Sequence, residues 1–94
     1  MSKTVLSIKA NYDKFSKSEK QIANFLIENP EKLLPLYITE LSDICGVSEA
    51  TIVRFSKKMG FDGYQQLKIA IAQENHTSPV NENITNLDKQ LIIL

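Results

Sequence analysis

Tryptophan is absent from these 94 residues, and cysteine and histidine occur once each. A lone cysteine closes no internal disulfide, so packing has to hold the fold, and a reducing cytoplasm is the expected compartment. One cysteine and one histidine with no acidic residue in ligand spacing leave no metal and no cofactor to expect. No apolar run approaches the roughly 18 residues that a membrane-spanning helix needs. The opening "MSKTVLSIKANYDKF" also lacks the continuous apolar stretch and small-residue cleavage site of a secretory signal. Net charge is missing as well, because eleven Lys plus Arg balance eleven Asp plus Glu. That excludes coating of nucleic acid or anionic membrane by bulk charge, though not binding through a local face.

What is present is ordinary globular material: 43% hydrophobic and 23% charged residues, enough to bury a core in one small domain. The charges are unevenly placed. Arg54, Lys57 and Lys58 follow one another with no acid between them, whereas Glu19, Glu28, Glu31, Glu40 and Asp43 face only Lys20 and Lys32. A neutral chain can therefore present a basic face.

The apolar spacing is helical and suggests no strand pair. Val5, Ile8 and Tyr12 mark a short first helix. Ser16 followed by Glu19 is a capping-box pattern, and Ile22, Phe25 and Leu26, helped by Ala23, line one face of the helix it opens. Asn29-Pro30 closes that helix and can open a brief one that Pro35 stops. Thr39 is placed to cap a helix running to about Cys45. Gly46 sits where a left-handed backbone ends it, and Ser48 caps the next helix, which reaches about Met59. Asp62 and Gln65 repeat the capping pattern before "GYQQLKIAIAQE", where Tyr64, Leu67 and Ile71 share a face. The expected fold is all-α, a compact bundle of five to six short helices containing a helix-turn-helix. Residues 1–75 form the domain. Residues 76–94 read as a polar linker and the start of a missing C-terminal domain.

Two short helices joined by a glycine turn are the outline of helix-turn-helix. Leu41 and Cys45 should enter the core, Ser42 should sit at the crossing, Val47 should plug the turn, and Ile52 and Phe55 should anchor the second helix. On a wheel with Ile52 at 0°, Phe55 and Met59 fall near 300° and 340°, while Lys57, Ala50 and Arg54 fall near 140°, 160° and 200°, with Val53 near 100° (roughly 100° per residue). Small residues at the start of that outer face would admit a groove edge, an arginine can fork to guanine, and a lysine can pair a phosphate. The same pattern is also compatible with a helical protein-interaction module that binds no DNA, and the zero net charge and acidic residues before Thr39 suit that alternative.

"SKSEKQIANFLIENP", "ITELSDICGVSEATIVRFSKKMGF" and "GYQQLKIAIAQE", in this order and spacing, resemble the N-terminal domain of the RpiR family of bacterial transcription regulators, over about residues 3–75. The resemblance implies operator binding to double-stranded DNA, an inverted repeat read by a homodimer, and control by a phosphosugar through a sugar isomerase-type domain. That domain does not fit in the 19 residues after Asn75. Carried over by residue, the resemblance places Ser48, Glu49, Ala50, Thr51 and Arg54 at the start of a recognition helix, with Lys57 and Lys58 near phosphates. Val53 joins them from the wheel. Ser42 and Asp43 depart from the small or alanine-rich residues usual at the crossing.

No catalytic set accompanies Glu19 or Glu28, so no enzyme is expected. Cys45 reads as a small buried hydrophobe, His76 as a solvated linker residue, and the seven aromatics as mostly core.

Overall fold

Three of the helices begin at a serine whose hydroxyl answers a free backbone N–H, and two end at a glycine. The computed structural model describes residues 2–76, and among these it contains five α-helices and no strand. Helix α1 spans Lys3–Ala10, α2 Lys17–Glu28, α3 Ile38–Cys45, α4 Glu49–Lys58 and α5 Tyr64–His76. Short 3-10 turns lie at Tyr12–Lys14 and Pro30–Lys32. Ser2 accepts from Val5 N–H, Ser16 from Glu19 N–H and Ser48 from Thr51 N–H. At α2 the box is complete, since Glu19 also accepts from Ser16 N–H at 2.8 Å.

The expected boundaries need three corrections. Helix α1 stops at Ala10 rather than reaching Tyr12, because the Asn11 side chain donates to Ser7 O and terminates the ladder. Thr39 is not the cap of α3. Glu40 turns back to accept from Tyr37 N–H at 2.7 Å, which moves the start to Ile38. Helix α5 continues past Glu74 to His76, taking up the first residue assigned to the linker. The rest of that linker and the closing apolar fragment lie outside the described residues.

The helices pack as a bundle in which α1 lies against α2 and α5, α2 against α3 and α4, α3 against α4, and α4 against α5. Each contributes to one core: Val5 and Ile8, then Ile22, Ala23 and Leu26, then Leu41 and Cys45, then Ile52 and Phe55, then Tyr64, Leu67 and Ile71. Phe15 and Leu33 from the turns complete it, and the Phe15 ring meets the Phe55 ring edge-on at 5.2 Å. Of the aromatics, Phe15, Phe55 and Tyr64 are buried and Tyr12, Phe25 and Phe61 are half-buried against them. Tyr37 is the exception, 74% exposed.

The bend between α3 and α4 is held by backbone geometry. Gly46 adopts φ 70°, ψ 33°. Ser42 O accepts from both Gly46 N–H and Val47 N–H, and the Ser42 hydroxyl donates to Val47 O at 2.6 Å. The serine that departed from the usual crossing residue thus ties the turn with three bonds. At the other end of α4, Gly60 has φ 97°, with Gly60 N–H on Lys57 O and Phe61 N–H on Ser56 O, a Schellman closure.

A Cβ built at Gly46 meets no atom within 4 Å, so a side chain there is opposed only by its left-handed backbone. Gly46→Ala is expected to lower unfolding free energy by about 1–2 kcal/mol, and Gly46→Asn by less. Urea denaturation of the three proteins checks the order, and equal stabilities would remove the strain argument.

Candidate nucleic-acid interface

The turn sends α4 across the bundle with its Ile52 and Phe55 face inward, both with no exposed surface. Its opposite face is open. Ser48, Glu49, Ala50, Arg54, Lys57 and Lys58 are exposed, while Thr51 and Val53 are half-buried on its flanks. The structure therefore brings seven of the eight candidate residues onto one outer surface, and Lys58 differs from them in its partner.

Ser48 does two things at once. Its hydroxyl caps α4 through Thr51 N–H at 3.1 Å and shares a hydrogen bond with the Thr51 hydroxyl at 2.8 Å. Thr51 Oγ1 in turn accepts from Arg54 Nη2 at 3.2 Å. One turn of helix separates each pair, so the cap, the threonine and the guanidinium form a line along the exposed face. A long side chain that would otherwise sample many rotamers is held along the helix with four of its five N–H donors still available. Ala50 leaves the surface low beside that line, and Lys57 adds a second cation.

Lys58 is directed elsewhere. Its ammonium meets both carboxylate oxygens of Glu19 at 3.2 Å and lies 5.8 Å from the centre of the Phe15 ring. Glu19, already bonded to Ser16 N–H, is 18% exposed and Lys58 49%. The bond from Ser16 N–H holds the Glu19 carboxyl below the ordinary glutamate value, with Lys58 adding to this and partial burial opposing it. Thus the α2 cap and the last turn of α4 share one carboxylate.

Two further side chains were not legible beforehand. Ser56 is fully buried and donates to Ile52 O at 2.8 Å, which satisfies a hydroxyl on the core face of α4. Its position near 40° on the wheel was the available signal. Lys68 is buried on α5 and donates to Leu36 O, which Tyr64 O–H also reaches. Cys45 is buried, and desolvation pushes its thiol pKa up, which disfavours the reactive thiolate. Among the described residues no group of His, Cys, Asp and Glu could hold a metal ion, and no helix is long and apolar enough to cross a membrane.

Comparison with known proteins agrees with this geometry. The model of the helix-turn-helix domain of the rpiR family matches residues 3–78. An uncharacterised helix-turn-helix-type transcriptional regulator of Thermotoga maritima is 38% identical over 85 residues, covering 86% of this chain and 30% of the relative. The regulator HexR of Pseudomonas aeruginosa is 35% identical over 66 residues, covering 70% of this chain and 23% of its own. Among solved structures, the Vibrio vulnificus NanR protein complexed with ManNAc-6P superposes with a TM-score of 0.74 at 30% identity, over 77% of this chain and 28% of that one. The N-terminal domain of the putative regulator ybbH of Bacillus subtilis has the same fold, with a TM-score of 0.76 at 24% identity, over 84% of this chain and 96% of that one. The chain spans less than a third of the length of the curated relatives it matches.

The shared carboxylate carries a pH signature. A depressed Glu19 contributes stability that is present above its unfolded value and lost as pH falls through the lower folded value. Glu19→Gln is expected to cost about 0.5–1 kcal/mol at pH 7. The gap to the parent should narrow as pH falls below 4.5. Denaturant titrations across that range check it, and a gap independent of pH would show that Glu19 titrates normally.

Proposed function

The chain belongs to the rpiR family of helix-turn-helix domains, and from that premise we propose that it is the DNA-reading part of a transcription regulator, with α4 as the recognition helix. The observation that carries this reading is the line Ser48, Thr51, Arg54 on the solvent face of α4. A guanidinium held along a helix, beside Ala50 and clear of any carboxylate, suits the paired acceptors of guanine in a major groove. Ala50 and Val53 suit a thymine methyl, and Ser48, Thr51 and Lys57 suit phosphates beside it. Glu49, exposed in the first turn, suits the amino group of cytosine. Lys58 contributes less to phosphates, because Glu19 already answers its charge.

One copy presents one such helix, so two copies read an inverted repeat with half-sites roughly 10 base pairs apart or a multiple of that. With Arg54 and Lys57 as the cations of α4 not engaged by an acid, the log–log dependence of affinity on salt should have a slope of about 2 per copy. The unit closes with α5, and the relatives' greater length accommodates a second domain that controls it. That NanR was solved with ManNAc-6P supports a phosphosugar as the class of effector, acting through that second domain. The cytoplasm, where DNA and phosphosugars are both found, is the proposed compartment.

Selection from a random duplex pool at near-physiological salt, with Arg54→Ala run beside the parent, tests the reading. The parent should enrich an inverted repeat. The variant should lose about 1–3 kcal/mol of binding and its preference at one base pair of each half-site. Absence of enrichment by the parent at low salt and high protein concentration would overturn the assignment, and an unchanged preference in the variant would overturn the role of Arg54.

A further inference from the structure

Beside α4 an open groove of about 680 Å³ runs between the beginnings of α3 and α5. Tyr37 and Thr39 line one wall, Tyr64, Gln65 and Gln66 the other, and Val53 of α4 closes the near end. No residue lining it carries a carboxylate, although α3 and the loop before α5 bear Glu40, Asp43 and Asp62 nearby. Glu40 is turned back onto Tyr37 N–H. Beneath the groove lies Lys68, only 8% exposed, with its ammonium 5.3 Å from the Tyr64 ring centre and 5.9 Å from that of Tyr37. Its hydrogen-bond partner is the neutral Leu36 carbonyl, and among the described residues it has no carboxylate within ion-pair distance. Glu40 stands across the same Leu36–Tyr37 peptide and also acts on the Tyr64 hydroxyl, so the Lys68 charge is partly offset and what the groove presents is a wall of uncharged donors.

We propose that this groove seats the sugar–phosphate backbone of the DNA strand that borders the major groove entered by α4. The inference rests on the reading of α4 as a recognition helix and extends it to a second surface. A helix about 10–12 Å across fills a major groove about 12 Å wide, so what stands at its flank meets a strand rather than bases. Val53, on that flank, belongs to both surfaces and makes them continuous. The apolar faces of Tyr37 and Val53 suit deoxyribose. The hydroxyls of Tyr37 and Thr39 and the amides of Gln65 and Gln66 are uncharged donors of the kind that contact phosphate. These donors hold a phosphate by hydrogen bonds, so a chain with no net charge gains backbone affinity without a cationic surface.

The test compares three full-chain variants at exposed positions: Gln66→Glu, Gln66→Lys and Gln73→Glu. Gln73 lies on the same face of α5, two turns and about 10 Å further along, and controls for added charge away from the groove. Binding is measured on the duplex that the parent selects and on an unrelated duplex, across a salt series, with thermal melting to confirm the fold. Gln66→Glu should weaken both duplexes about tenfold. Gln66→Lys should tighten both and steepen the salt slope by about one. Gln73→Glu should change either by less than about twofold at near-physiological salt. The ratio between the two duplexes should not move, because a backbone seat reads no sequence. A parent that binds while Gln66→Glu does no more than Gln73→Glu overturns the groove alone. A parent that binds no duplex overturns the reading of α4 and the groove with it.

Discussion

The three hydrogen bonds that Ser42 makes across the α3–α4 bend set the direction in which α4 leaves the core. Gly46 supplies the left-handed residue that the bend requires, and Val47, pinned by N–H and carbonyl alike, packs against the core beneath it. The placement of Ser48 follows from that. Because its backbone is fixed by the turn, its hydroxyl meets Thr51 N–H, and the exposed line through Thr51 to Arg54 begins at a defined point. A loose turn would leave the same residues on the same helix face while losing their position relative to α2 and α5.

The other end of α4 is held by a different device. Gly60 stops the helix by backbone geometry, and Lys58 ties its last turn to Glu19 on α2. A half-exposed ion pair is worth little by itself. Glu19 is also the acceptor for Ser16 N–H, so the same carboxylate that starts α2 locates α4. The T-shaped contact of Phe15 with Phe55 lies in the same region, with the Lys58 ammonium over the Phe15 ring. Charge, cap and aromatic packing thus act on one junction, which positions the exposed face from behind.

The sequence is informative where structure is local. Ser16 with Glu19, Ser48 before α4, Gly46 and Gly60 are all signals whose partners lie within a few residues. The core face of α4 follows from the same short-range periodicity. What escaped is long-range. Glu19 and Lys58 are 39 residues apart, Leu36 and Lys68 are 32 apart, and Thr4 and Glu74 are 70 apart. Nothing in either local pattern identifies the other partner. Thr39 shows a related limit: a threonine before an apolar run is a good cap, but Glu40 reaching back to accept from Tyr37 N–H opens the helix two residues earlier. The exposed face of α4 was legible as a surface. The shared role of Ser48 and the diversion of Lys58 follow only from the three-dimensional arrangement.

Neutral composition also shapes how a face of this kind can discriminate. Glu49 lies in the first turn of α4, where its charge favours the helix dipole and also repels any phosphate brought close to it. Lys58, the third cation of the cluster, is paired with Glu19. A surface so arranged gains little from an arbitrary duplex, because nonspecific binding is carried almost wholly by counterion release. On the proposed reading, directional bonds from Arg54 and its neighbours gain only where the bases match them. On that reading, the lack of excess charge lowers affinity for correct and incorrect sites alike, and the directional bonds are what separate the two. In the same proposal, pairing of copies recovers the affinity that one copy gives up, since the second contact is made at high effective concentration.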